Sequence, residues 1–114
     1  MCGIVGVIQS DGQPTSSDIL EQMTRTLAHR GPEGWGVQRV AAQAWHVGLG
    51  HARLKIIDLS EAARQPMSND DGSVWVVFNG EIYNFQELRG DLRRRGCRFK
   101  TLSDTEVLLR LYEA

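Results

Sequence analysis

The hydrophobic positions divide the chain into short, separate elements. Residues 2–9 form an apolar run containing Gly3 and Gly6, with the length of a buried strand. The run starts at the second residue, so the side chain at position 2 is held by a strand. After the Asp11-Gly12 turn, Ile19, Leu20, Met23 and Leu27 recur at helical spacing behind hydroxyl caps, which predicts a helix over 16–29 ended by Gly31-Pro32. Residues 35–40 and 44–51 read as two strands, and Ile56 with Ile57 as a further extended piece. Residues 69–72 are a loop. Residues 74–78, Val-Trp-Val-Val-Phe, lack polar alternation, as expected of a strand covered on both faces of a layered fold. Asn84 with Glu87 makes a variant capping box for a helix that buries Phe85, Leu88 and Leu92 and closes at Gly96. Ser103 and Glu106 repeat the arrangement before Val107, Leu108 and Leu111. That last helix reaches Ala114 without a stop signal, so the pattern reads as cut rather than finished.

Composition narrows the classes. The chain has 114 residues, room for one small domain, and 41% of them are hydrophobic against 24% charged, as in ordinary globular proteins. No apolar run approaches the roughly 18 residues of a membrane span. The first residues lack a basic leader and a cleavage site, which points to the cytoplasm. Thirteen basic against fourteen acidic residues leave a net charge of -1, which argues against nucleic-acid binding. The basic cluster of Arg89, Arg93, Arg94, Arg95 and Arg98 reads as the solvated, cation-favouring end of a helix. Cys2 and Cys97 form no disulfide framework and have no ligand-spaced partner, so no metal site is expected.

Cys2 combines position with chemistry. Removal of Met1, which a small second residue permits, gives one residue both a thiol and a free α-amine. An α-amine gives up its proton not far above neutral pH, so at cellular pH a neutral amine can take the proton of the thiol. A retained Met1 would acylate that amine, and the plain alternative is a small apolar residue in a strand. Asn79-Gly80, after the most apolar run, offers a side-chain amide and a backbone N–H suited to an oxyanion hole, or is a simple turn. Arg53 has the fork that holds a carboxylate, or makes an ordinary salt bridge. Asp104 can receive an ammonium group, or only stabilise a helix N-terminus. Together these types describe a site for an α-amino acid carrying an amide.

Five blocks carry a resemblance. Met1-Cys2-Gly3-Ile4-Val5-Gly6, His29-Arg30-Gly31-Pro32, Gly50-His51-Ala52-Arg53-Leu54-Lys55-Ile56-Ile57-Asp58-Leu59-Ser60, Asn79-Gly80-Glu81-Ile82-Tyr83-Asn84 and Ser103-Asp104-Thr105-Glu106-Val107 occur in the order, and with the types, of the glutaminase domain of glutamine-hydrolysing asparagine synthetases. The chain resembles the N-terminal part of that domain. Glu33 stands where the family usually has Asp, and Ala52 where it usually has a larger polar residue.

The resemblance implies an α+β fold of the N-terminal nucleophile hydrolase type, a four-layer αββα sandwich present here in truncated form over residues 1–114. It implies a class II glutamine amidotransferase that releases ammonia from glutamine through a thioester on Cys2. Asn79 and Gly80 would form the oxyanion hole and Arg53 would bind the substrate carboxylate. Glu81 and Asp104 would take its ammonium group, and the backbone around Ile56 and Ile57 would line the pocket. Family members pass ammonia to a synthetase domain that uses ATP and magnesium; no loop of that kind occurs here, so this chain itself calls for no cofactor. A homo-oligomer stays open. The competing readings are a class II amidotransferase with a sugar or cell-surface acceptor, and a catalytically silent interaction module. Cys97 matches no catalytic block and reads as packing.

Overall fold

The computed structural model describes residues 2–55 and 59–114, so the expectations for Ile56 and Ile57 lie outside the described residues. Among the described residues the fold is α+β, with two sheets and three α-helices. Strand β1 (Gly3–Gln9) pairs antiparallel with β3 (Trp45–Ala52), which pairs antiparallel with β2 (Trp35–Ala42), in the order β1-β3-β2. A second, two-stranded sheet joins β4 (Met67–Ser68) to β5 (Trp75–Val76).

Helix α1 (Ser17–Arg25) lies on one face of the larger sheet, and glycine makes that approach possible. A Cβ at Gly48 would come within 2.7 Å of Leu20, at Gly50 within 2.2 Å of Thr24 Oγ1, and at Gly3 within 2.8 Å of Leu27. The stripe that faces the sheet is therefore Leu20, Thr24 and the half-buried Leu27, at i, i+4 and i+7, with the Thr24 hydroxyl donating to Leu20 O at 2.7 Å. Ile19 and Met23, expected on the buried face, are exposed because the glycine cleft receives a small polar residue instead. The helix is also shorter than the apolar spacing implies: Ser16 caps it, and residues 26–30 continue as turns.

On the other side, α3 (Asp104–Glu113) packs against β4, β5 and α2 (Phe85–Arg94). Gly96 closes α2 with a φ of 90°, and Cys97 N–H donates to Leu92 O at 3.0 Å, the glycine-terminated arrangement the sequence predicts. Four details differ. Asn84 makes no side-chain cap. Residues 74–78 are half-buried rather than covered on both faces, and only Trp75–Val76 pair as a strand, because no element lies over their outer side among the described residues. Arg89 is buried, donating to Thr101 O at 2.6 Å and stacking 4.8 Å from the Phe99 ring centroid, so it is no part of a solvated cluster. Finally, α3 buries Leu109 and leaves Leu111 exposed, because its inward face also carries Glu106 and Arg110.

Candidate functional site

The start of β1 and the end of β3 place Cys2. Because Gly3 pairs with Ala52, Cys2 comes beside the segment leaving β3. Its Sγ accepts a hydrogen bond from Leu54 N–H at 3.2 Å and donates to Leu54 O at 3.5 Å. Arg30 Nε donates to the Cys2 carbonyl at 3.2 Å, so residue 2 is tied from both sides.

The Arg30 segment reaches this position by running against β3 backbone. Pro32 forms a parallel bridge with Arg53, Glu33 N–H donates to Arg53 O at 3.0 Å and Arg53 N–H to Gly34 O at 2.8 Å. A Cβ at Gly31 would lie 2.3 Å from the Ala52 carbonyl atoms, so only glycine allows the passage. Glu33 also accepts from Lys55 N–H at 3.2 Å, fixing the chain beyond Arg53.

A cavity of about 360 Å³ opens at this junction. Its lining brings together Cys2, Arg53, Asn79, Gly80, Glu81 and Asp104, residues contributed by β1, the exit of β3, the segment after β5 and the N-terminus of α3. These are the sequence-predicted site residues within the described part of the chain, and the volume suits a small amino acid. Arg53 and Asp104 are buried and Glu81 is exposed. Asp104 Oδ2 accepts from Ile82 N–H at 3.0 Å, which fixes the carboxylate at the helix start and draws the 79–82 segment against it. The Ser103 hydroxyl accepts from Thr105 N–H at 3.0 Å and caps α3. Glu106 does not complete the expected box; its carboxylate accepts from Lys100 N–H, Thr101 N–H and the Thr101 hydroxyl. Among the described residues no group of His, Cys, Asp or Glu is placed to hold a metal ion, and no helix is long and apolar enough to cross a membrane.

Two cavity residues have no role in the sequence reading. Gln65 is buried, accepting from Phe78 N–H at 2.6 Å and donating to Thr105 Oγ1 at 3.1 Å, so it joins the strand leading to Asn79 with α3. A Cβ at Gly36 would meet Gln65 O at 2.5 Å, which shows how closely the 65 segment crosses the larger sheet. His51 is 1% exposed and lines the same cavity. Burial is the main cause that lowers its pKa from 6.5 to about 4; Arg53 adds to the effect and the Phe78 backbone opposes it, so the ring is neutral at cellular pH. Their only sequence signal is a polar residue inside a glycine- or proline-bearing block.

The sequence profile of the glutamine amidotransferase domain matches residues 1–114. An asparagine synthetase (glutamine-hydrolyzing) 1 from Bacillus subtilis is 44% identical over 98% of this chain and 17% of its own length. A putative asparagine synthetase (glutamine-hydrolyzing) 2 from Methanocaldococcus jannaschii is 36% identical over 98% of this chain and 24% of its own. Amidase chry2 of Gibberella zeae is 36% identical over 99% of this chain and 18% of its own. The chain thus spans about a fifth of the length of these curated relatives. With the match running through every segment that meets at the cavity, the chain belongs to the glutamine amidotransferase domain family.

Proposed function

We propose that this chain is the glutamine-cleaving part of an asparagine synthetase-type amidotransferase. The observation that carries the reading is the single cavity in which a cysteine at position 2, a buried arginine, a buried aspartate and Asn79-Gly80 converge. Arg53 holds the glutamine α-carboxylate; Asp104 and Glu81 hold its ammonium group. The free α-amine of Cys2 takes the thiol proton, and the sulfur attacks the side-chain amide carbon. The oxyanion that forms is stabilised by the Asn79 amide and the Gly80 N–H. Collapse breaks the C–N bond, the proton passes from the amine to the leaving nitrogen, and ammonia departs. Water then attacks the thioester, giving glutamate and restoring the thiol.

The fuller architecture belongs to this reading. Helix α1 on the three-stranded sheet and α3 on the β4–β5 sheet support the order of a four-layer αββα sandwich of the N-terminal nucleophile type. Ammonia would pass to a synthetase domain working with ATP and magnesium in the cytoplasm, outside these 114 residues. A second reading keeps the hydrolysis and changes the acceptor, and the relative named as an amidase favours it. A silent interaction module is separated from both by assay.

The test is glutamate release from L-glutamine, with loss of Met1 verified by mass spectrometry. Cys2→Ala is expected to abolish release. Release that survives this change, or a Cys2→Ala chain that binds L-glutamine no better than L-alanine, overturns the reading. Arg53→Ala is expected to raise KM at least tenfold with a smaller effect on kcat, the signature of lost ground-state binding. An unchanged KM removes Arg53 from the carboxylate site.

A further inference from the structure

Asn79 and Gly80 lie between two backbone amides that side chains hold. Phe78 N–H donates to Gln65 Oε1 at 2.6 Å, and Ile82 N–H donates to Asp104 Oδ2 at 3.0 Å. A backbone N–H can only donate, so the oxygen of the Gln65 amide faces Phe78 and its NH2 group faces the Thr105 hydroxyl, 3.1 Å away. Thr105 follows Asp104, so both anchors lead to the first turn of α3. The Phe78 ring carries the restraint onward, since a Cβ at Gly80 would come within 2.9 Å of it. Gln65, Asp104 and Thr105 are all buried, where such bonds are stronger than in water.

We propose that Gln65 is a positioning residue for the oxyanion hole, its amide oxygen holding Phe78 N–H so that Asn79 and Gly80 N–H stay aimed at the oxygen of the amide under attack. The assignment rests on the glutamine reading and adds to it a residue that acts through Phe78. An oxyanion hole works by fixing its donors before the charge develops, and a misplacement of about 1 Å in such a site costs about a hundredfold in rate. The uncharged amide of bound glutamine needs those donors less, because Arg53 and Asp104 hold the other end of the molecule. Loss of Gln65 therefore falls mainly on the charged intermediate.

The experiment measures kcat and KM for glutamate release from L-glutamine, with loss of Met1 verified, and inhibition by L-glutamate γ-semialdehyde. With this aldehyde the Cys2 sulfur adds to the aldehyde carbon, the thiol proton passes to the α-amine, and the former carbonyl oxygen takes the oxyanion position. Gln65→Met, similar in length but without either bond, is expected to lower kcat about tenfold or more and to weaken the aldehyde by a similar factor, with a smaller rise in KM. Gln65→Glu keeps an acceptor for Phe78 N–H and can accept from the Thr105 hydroxyl, so it is expected to recover much of the kcat. A kcat that Gln65→Met leaves unchanged, an aldehyde weakened no more than KM is raised, or equal losses in Gln65→Glu and Gln65→Met overturn the proposal and leave the glutamine reading intact. No glutamate release from the unaltered chain overturns the reading itself, and this assignment with it. Should Gln65→Met unfold, Thr105→Val decides, since it removes the acceptor that orients the Gln65 amide. A fall in kcat larger than the rise in KM then supports the assignment; an unchanged kcat overturns it.

Discussion

Gly31 has no space for a methyl group, since its Cβ would overlap the backbone of Ala52 and Arg53 rather than a side chain able to move away. Gly31→Ala is expected to cost about 1–3 kcal/mol of stability, read as a lower urea midpoint, and to weaken L-glutamine binding by displacing the Arg53 segment. Gly6→Ala is the control: nothing lies within 4 Å of its Cβ, so it should be neutral or slightly stabilising. His51 gives a pH dependence at the same scale. Its pKa falls from 6.5 to about 4 on folding, so between those values the unfolded chain binds the additional proton. Its contribution is therefore full above about pH 6.5 and is lost as pH falls toward and through 4. Asp70, lowered first by its Lys100 bond and then by Arg110, and Asp71, lowered by Ser73, act only beneath the ordinary carboxylate range. Urea midpoints at pH 7 and pH 5 should differ in the native chain and converge in His51→Gln. Cys2, Arg53 and Asp104 were legible because each has a chemistry that its block displays. His51 and Gln65 were not, because burial and a shared partner become visible only once β3, the 65 segment and α3 cross.

Helix α3 shows how a helix can be placed by polar contacts as much as by apolar ones. Glu106 is 2% exposed and accepts from the 100–101 backbone and from Thr101 Oγ1, while Arg110, also buried, bonds Glu106, Glu113 and Asp70. Glu106→Ala removes the acceptor of the 100–101 backbone and of Thr101 Oγ1 together with the buried one of the three carboxylates on Arg110, so a loss of about 3–5 kcal/mol is expected. Asp70→Asn changes an exposed partner and should cost less than about 1 kcal/mol. Chemical denaturation of the two variants separates these outcomes; equal losses would place the stability in the surface pair. Apolar spacing located this helix and its Ser103 cap correctly. It misassigned the inner face, choosing Leu111 over Leu109, because a period count gives no credit to a carboxylate that satisfies a neighbouring loop. The same blindness applied to α1, where Thr24 occupies the place expected of a larger apolar residue. The strand segments 35–40 and 44–51 were read more faithfully, since β2 and β3 are continuous runs separated by a short turn.

At the scale of the molecule, the cavity is the place where both halves of the fold meet. Cys2 and Arg53 come with the larger sheet, while Asn79, Gly80 and Asp104 come with the β5 exit and α3. Gln65, whose segment crosses the larger sheet at Gly36, ties that sheet to the second half by bonding Phe78 N–H and the Thr105 hydroxyl. A ligand spanning Arg53 and Asp104 would add a second tie across the same gap, so binding and folding should be coupled. For a site occupied only in the folded state, ligand at about one hundred times Kd adds about 2.7 kcal/mol to stability. In the Cys2→Ala chain, L-glutamine should therefore raise Tm progressively with concentration. Gln65→Ala leaves the half-buried Phe78 N–H and the buried Thr105 hydroxyl without this partner, and is expected to lower stability by about 1–3 kcal/mol. If the tie positions the two halves, this variant should also lose affinity for L-glutamine, and saturating ligand should recover much of its lost Tm. Should Gln65→Ala lower Tm while binding L-glutamine as tightly as before, the two sides of the cavity are held in register by something other than Gln65. In that case the close crossing of the 65 segment over Gly36 would be the next contact to alter.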